Sequence, residues 1–380
     1  MVIGIEQMMT VTIVPLVIYC VYILSTKGVK NNKVKKAVYF LFFISLFACL
    51  IKVIIGQTEF LRDLMYMGFL PCIIILAFEN LTAQMRKILR FVLLAFFLIL
   101  AVVIFLEWIM KVNFFYIEND FYGSTEDFEG WAFRSQGFFN HPIYTSMVVS
   151  LFMMMMLFSQ LKLSLKMFLS GIVFFMLLCI NTRTGIGLSF LLFLPSLYYN
   201  IRNVNASTKK WIAATGILLC GGIIYVVLTT ELGGRLLGYG TDDGGNTQQR
   251  IASLDFRRFI SDDLFLFGNS DYQVGLFQTI GWIENSYIAF LLKYGVIAGL
   301  PLLLSLLTVH IYQLKRFPLV GQICIFSSFY LFAATTTHLA APNIWLYFIF
   351  LYYAFAPYRT NRDRLYRKYV QSLYLKKEKR

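Results

Sequence analysis

The chain has 380 residues, of which 58% are hydrophobic and only 14% charged, with a formal net charge of +14. That composition leaves too little polar side chain to cover a soluble globule, so it excludes a water-soluble fold and points to a chain that crosses a lipid bilayer many times. The basic excess carries no groove-reading or base-stacking motif, which argues against nucleic acid as a partner and for the bilayer itself.

A spanning helix needs about 20 mostly apolar residues. By that ruler the chain is predicted to be all-α, with eleven spans: roughly 8–25, 37–56, 64–79, 91–110, 142–158, 167–181, 185–201, 211–230, 285–307, 319–337 and 344–357. The whole of 1–380 reads as one transmembrane helical domain, with a large polar loop at 231–284 and a basic tail at 358–380. Cys20, Cys49, Cys72, Cys179, Cys220 and Cys324 each fall inside an apolar run, so they read as small hydrophobic residues rather than disulfide or metal partners. No metal or other cofactor is expected. The first residues lack the basic start and small-residue cleavage site of a signal peptide.

Loops on the cytoplasmic side accumulate Lys and Arg. Lys27, Lys30, Lys33, Lys35 and Lys36 follow the first span, which places that connector inside and the N-terminus outside. Alternation then puts Arg86, Lys87 and Arg90, Lys162 and Lys166, Arg202, Lys209 and Lys210, Lys315 and Arg316, and the tail all inside, where Glu79, Asp363 and Glu378 are the acids.

Taken in order, the first four spans are apolar and read as scaffold, with Lys52 expected to snorkel to the interface from the end of the second. The second outer loop, 111–141, mixes acids (Glu118, Asp120, Glu126, Asp127, Glu129) with aromatic residues (Tyr122, Phe128, Trp131, Phe133, Phe138, Phe139). Such rings are either interfacial belt residues or platforms for sugar faces, with the acids accepting hydroxyl hydrogen bonds. The loop ends in Phe133-Arg134-Ser-Gln-Gly137-Phe-Phe-Asn140-His141-Pro142, whose proline suits the first turn of a helix and holds Arg134 near its start.

Asn181-Thr182-Arg183-Thr184-Gly185 is a short outer connector, too brief for Arg183 to reach far into water. Arg183 either snorkels at the interface or lines a polar cavity. In the large loop, Gln248-Gln249-Arg250-Ile-Ala-Ser-Leu-Asp255-Phe-Arg257-Arg258 has an apolar stripe at helical spacing, which predicts a surface helix with Arg250 and Arg257 on one face. Arginine forks bind phosphate oxygens bidentately; the alternative is a solvated face paired with Asp255, Asp262 and Asp263. After Glu284-Asn285-Ser286-Tyr287, Lys293 either faces a cavity and a phosphate or pairs with a buried acid, and Gly295 and Gly299 are spaced for close helix packing.

Four pieces in this order resemble the bacterial O-antigen ligase and Wzy-type polysaccharide polymerase superfamily over residues 130–305. They are Arg134-x-x-Gly-x-x-x-His-Pro, Thr-Arg183-Thr-Gly, Arg250 with Phe-Leu-Phe-Gly268 downstream, and Glu284-Asn285-Ser-Tyr running into Lys293-Tyr-Gly295. The resemblance implies a metal-independent membrane glycosyltransferase of the bacterial cytoplasmic membrane. Its donor and acceptor would be undecaprenyl-diphosphate-linked oligosaccharide, used for capsule, exopolysaccharide or O-antigen. It further implies that Arg134, Arg183 and Arg250 hold the diphosphate, with Arg257, Arg258, Asn285 and Lys293 as further substrate-binding candidates. Where the ligases carry a histidine before the Asn-Ser step this chain has Glu284, which favours the polymerase branch. Glu284 and His141 are then the candidate catalytic residues, with His338 as a rival and His310 set aside as inward-lying. The alternatives are a ligase moving finished glycan to another acceptor and a non-catalytic flippase for the same lipid-linked sugars. A chain-length regulator and a flippase are implied partners of the polymerase.

Overall fold

The computed structural model describes residues 5–29, 33–115, 133–139, 141–202, 204–229, 263–269, 285–335, 339 and 342–357. Among the described residues there are helices, turns and no strand. The long elements are α1 (Ile5–Lys27), α2 (Lys33–Ile54), α3 (Phe60–Leu64) continuing through a π-helical turn (Met65–Phe69) into α4 (Leu70–Phe78), α5 (Ala83–Met110), α6 (Pro142–Leu157), α7 (Leu163–Ile180), α8 (Arg183–Ile201) and α9 (Ala206–Thr229). After them come the short α10 (Asp263–Phe267), α11 (Ser286–Tyr294), α12 (Val296–Leu314), α13 (Leu319–Tyr330) and α14 (Pro342–Phe355). Among the described residues, six helical segments are long and apolar enough to cross a membrane: 33–54, 60–78, 83–110, 163–180, 183–201 and 296–314. The protein is a helical membrane protein, and a described helix lies in each of the eleven apolar stretches of the sequence.

The π turn has a local cause. Pro71, at the second position of α4, has no N–H to give to the carbonyl one turn back, and its ring crowds that carbonyl. The ladder widens just before it, and Leu70 N–H bonds Met65 O instead.

The bundle is apolar both inside and out. α6 is buried at every position but Tyr144, its run Met153–Met156 included, which is how a helix hydrophobic on all sides behaves. α14 is buried as well, at Trp345, Phe348, Tyr352 and Tyr353, and meets α6 through the Phe355 ring on Phe152, with centres 5.3 Å apart. On the periphery, Phe43 and Ile54 of α2, Phe91 and Ile99 of α5 and Leu191 of α8 are exposed, as lipid-facing side chains must be.

Polar contacts collect in two layers at opposite ends of the helices. One layer has Asn80 Nδ2 donating to Gly28 O (2.7 Å), Arg316 paired with Glu79 (2.5 Å), Tyr353 Oη donating to Glu79 (2.9 Å) and Lys166 Nζ donating to Asn200 Oδ1 (2.9 Å). The other has Ser135 N donating to Cys179 O (3.2 Å), Gln57 Nε2 donating to Gly268 O (2.9 Å) and Leu339 N donating to Ser286 Oγ (3.3 Å).

Two expectations are corrected. The stretch 285–307 is not one span: the chain breaks at Gly295, where φ is 76°. α11 touches the end of α13 through Tyr287 Oη on Tyr330 O (2.7 Å) and the start of α3 through Lys293 on Asp63 (2.5 Å). Nine residues make a helix about 13 Å long, so α11 is too short to span by itself, and α12 is the part of this stretch long and apolar enough to cross a membrane. Lys52 does not snorkel. It is fully buried, donating to Gln57 Oε1 (2.7 Å) and to Phe267 O, with its ammonium 4.0 Å from the Phe60 ring centre. The Phe267 carbonyl and the Gln57 side chain reach it first, and they replace the water that snorkelling would supply.

Candidate functional site

The candidate site is built on the layer where α5, α6, α7 and α8 have their ends. Its foundation is Glu107, in the last turn of α5 and fully buried. One carboxylate oxygen accepts Gln136 N–H (2.9 Å) and Gly137 N–H (2.8 Å); the other accepts Phe114 N–H (3.2 Å). Three donors on one buried carboxylate make charge-assisted bonds, which are shorter and stronger than neutral ones. They tie both ends of the 111–141 loop to α5. Gly137 sits at φ +57° with Leu100 and Ile104 against it, a conformation and a space that only glycine fits.

Arg134 is held by its neighbours on either side. Asn181 Nδ2 donates to Phe133 O (3.3 Å), Ser135 N donates to Cys179 O, and Ser135 Oγ donates to Ile104 O (3.0 Å). Asn181 is itself the left-handed residue that ends α7, at φ 54°. Two residues later Arg183 opens α8 and is exposed. The segment carrying Arg134 and the connector carrying Arg183 are therefore fastened together, with no long loop between the two guanidinium groups and their anchors.

His141 stands at the same level as the N-cap of α6, where Thr145 Oγ1 donates to its carbonyl (3.1 Å) and to Gln136 O. Its ring packs on Tyr144 with centres 4.9 Å apart, and Nδ1 is buried although the residue keeps partial exposure. Burial, and then the neighbouring Arg134 guanidinium, push the imidazole from its ordinary 6.5 down to about 4. At neutral pH it is uncharged, and the same depression makes it a weaker proton acceptor than an ordinary imidazole.

The other described candidates lie elsewhere in the layer. Asn285 caps α11, its Oδ1 accepting the N–H groups of Tyr287 (3.0 Å) and Ile288 (3.3 Å), so its oxygen serves the helix. Lys293 pairs with Asp63 at 2.5 Å, and Tyr294 Oη donates to the same carboxylate (3.4 Å); of the two readings open from the sequence, the acid pair is the one observed. Gly295 and Gly299 do pack closely. Gly295 faces the backbone of Leu266 and Phe267, and Gly299 faces Tyr294 and Phe290.

Glu284, Arg250, Arg257, Arg258 and His338 lie outside the described residues. His310 is buried between helices, stacked on Phe348 with Nδ1 2.9 Å from Tyr330 Oη. Among the described residues no cluster of His, Cys, Asp and Glu is placed to hold a metal.

Glu107, which organises the candidate site, was not singled out from the sequence because the fourth span read as scaffold. A signal was present: it is the lone acid in a 28-residue apolar helix, and an ionisable group at membrane depth is a functional hypothesis by default.

The chain matches no family model, no characterised protein and no solved structure.

Proposed function

We propose that the protein is a polymerase of lipid-linked oligosaccharide repeat units, working on the outer face of the bacterial cytoplasmic membrane with undecaprenyl-diphosphate-linked glycan as donor and acceptor. The observation that carries this reading is the fastening of Arg134 to the Arg183 connector beside an uncharged His141. Two guanidinium groups at one helix-end layer suit a diphosphate, and the order of motifs along the chain supports the same assignment.

In this reading all eleven apolar helices span, with the N-terminus outside and the C-terminus inside. Support comes from the two polar layers. The one containing Arg316, Glu79 and Lys166 draws on connectors assigned to the inside, and the one containing Arg134, Arg183 and Gly268 draws on those assigned to the outside.

The reaction breaks the bond between the anomeric carbon of the growing glycan and the diphosphate oxygen. It forms one between that carbon and a hydroxyl oxygen at the non-reducing end of the incoming unit. The electron pair leaves with undecaprenyl diphosphate, where preorganised cations are worth most in a site poor in water. The hydroxyl proton goes to a base, and neutral His141 is the described group able to take it; Glu284 keeps the same role as an alternative.

The test is polymerisation in proteoliposomes from purified lipid-linked repeat units, read as a product ladder, with Arg134→Ala, Arg183→Ala and Arg250→Ala in parallel. A wild-type ladder that collapses in folded arginine variants supports the polymerase. Failure of oriented wild-type protein to extend its cognate unit refutes it.

A further inference from the structure

The arginines are not the only positive groups at this end of the molecule, because two helices begin there side by side. α6 and α8 run parallel. Ser146 lies against Gly185, Ser150 Oγ contacts Ser189 Oγ, and Ser196 Oγ donates to Met154 Sδ (3.6 Å), so successive contacts advance in the same direction along both helices. A Cβ on Gly185 would stand 2.7 Å from Ser146 Cβ, so the first turns approach as closely as a glycine allows. The N-termini at Pro142 and Arg183 are thus adjacent, offset by about 3 Å along the axis.

The first-turn N–H groups of a helix have no partner inside it, and the aligned peptides place about half a positive charge at that end. Neither helix receives a capping bond from its N-cap side chain. At α8 this is unusual, since threonine is a good cap. Yet Thr182 Oγ1 is buried without a hydrogen-bond partner, lying 2.3 Å from where a Cβ on Gly185 would be, over the first turn. A buried hydroxyl that neither caps nor pairs is expensive to leave so, at about 1–3 kcal/mol. Its natural partner is an acceptor arriving from outside the chain.

The geometry points to a two-phosphate site made by the paired N-termini of α6 and α8, with Thr182 Oγ1 donating to a phosphate oxygen and Arg134 and Arg183 flanking it. The backbone N–H groups and the hydroxyl supply directional donors that the arginines alone lack. Two adjacent helix ends favour two linked phosphates over one, so the site selects a diphosphate over a monophosphate. The inference rests on the proposed function only for the source of that diphosphate, a lipid rather than a free ion.

It is tested by calorimetric titration of the full chain in nanodiscs with inorganic pyrophosphate, inorganic phosphate, undecaprenyl diphosphate and undecaprenyl phosphate. Wild type is expected to bind each diphosphate about tenfold tighter than the matching monophosphate, the worth of one more phosphate at a helix end. Thr182→Asn supplies a neutral cap that competes for the same N–H groups, and Thr182→Asp supplies a charged one. Both favour the helix, so folding is retained, and diphosphate affinity falls in the order Thr (wild type), Asn, Asp at position 182, the Asp variant losing tenfold or more by about the same helix-end worth. Binding of the lipid diphosphate alone, with that order, assigns the lipid as ligand; binding of both with that order assigns the diphosphate group. If Arg134→Gln and Arg183→Gln abolish binding while Thr182→Asp binds like wild type, the helix-end site is overturned and the polymerase reading stands. If wild type binds no diphosphate, both fall.

Discussion

Glu107, the lone acid of α5, accepts the backbone N–H of Gly137 at 2.8 Å across 30 residues of sequence. This bond, with those to Gln136 and Phe114, decides where Arg134 stands, since Arg134 lies only two residues before Gln136. Replacing the carboxylate by an amide in Glu107→Gln turns one acceptor into a donor facing other donors. Hydrogen bonds to a charged group are worth roughly 1.5–3 kcal/mol each, and more than one is affected. The expected outcome is a lowered thermal midpoint in detergent and a weakened polymerisation ladder, with Glu107→Asp intermediate. A variant with the wild-type midpoint would show that the carboxylate does not organise the loop.

The His141 ring gives a pH dependence with a definite sign. Its folded pKa, about 4, lies below its ordinary 6.5, so between those values the unfolded chain binds the proton more readily. The stability this group contributes is complete above pH 6.5 and is lost as pH falls toward 4. Thermal unfolding of wild type and His141→Gln from pH 7.5 to 4 should show a steeper acid-side decline in wild type. Parallel curves would mean that the imidazole is not buried beside Arg134.

The junction of Gly268 and Gly295 is a backbone-to-backbone contact. A Cβ on Gly295 would lie 2.4 Å from Leu266 O, and φ there is +76°, so Gly295→Ala meets both a clash and an unfavourable backbone. Overpacking costs typically 1–3 kcal/mol, and the positive-φ extended conformation, which is essentially open to glycine alone, adds about 1–3 kcal/mol. The variant is expected to release the 263–269 segment from Lys52 and Gln57, seen as faster proteolytic cleavage there at an unchanged helix content. Unchanged cleavage would show that the contact does not hold the segment.

Much of this was legible in the residues. The apolar stretches each became a helix because a bilayer solvent requires every backbone group to be bonded within its own segment, a demand that composition and length express directly. His141 and Arg183 were legible because each borders a helix start, and Arg134 because its segment runs into one. Other features were not. Lys52 read as a snorkelling residue until the carbonyl of Phe267, more than two hundred positions away, reached it. The run from Asn285 to Leu307 read as one helix because both halves are apolar; only the approach of the 266–268 backbone explains why Gly295 breaks it.

The sequence by itself determined the membrane class, the places of the helices and which residue types could meet an anion, since these follow from local hydropathy and charge. Only the tertiary structure decided that α6 and α8 begin side by side, that Glu107 anchors the loop of Arg134 and that Lys293 belongs to Asp63. Those outcomes depend on contacts between segments far apart in the chain, where spacing along the sequence carries no information about distance in space.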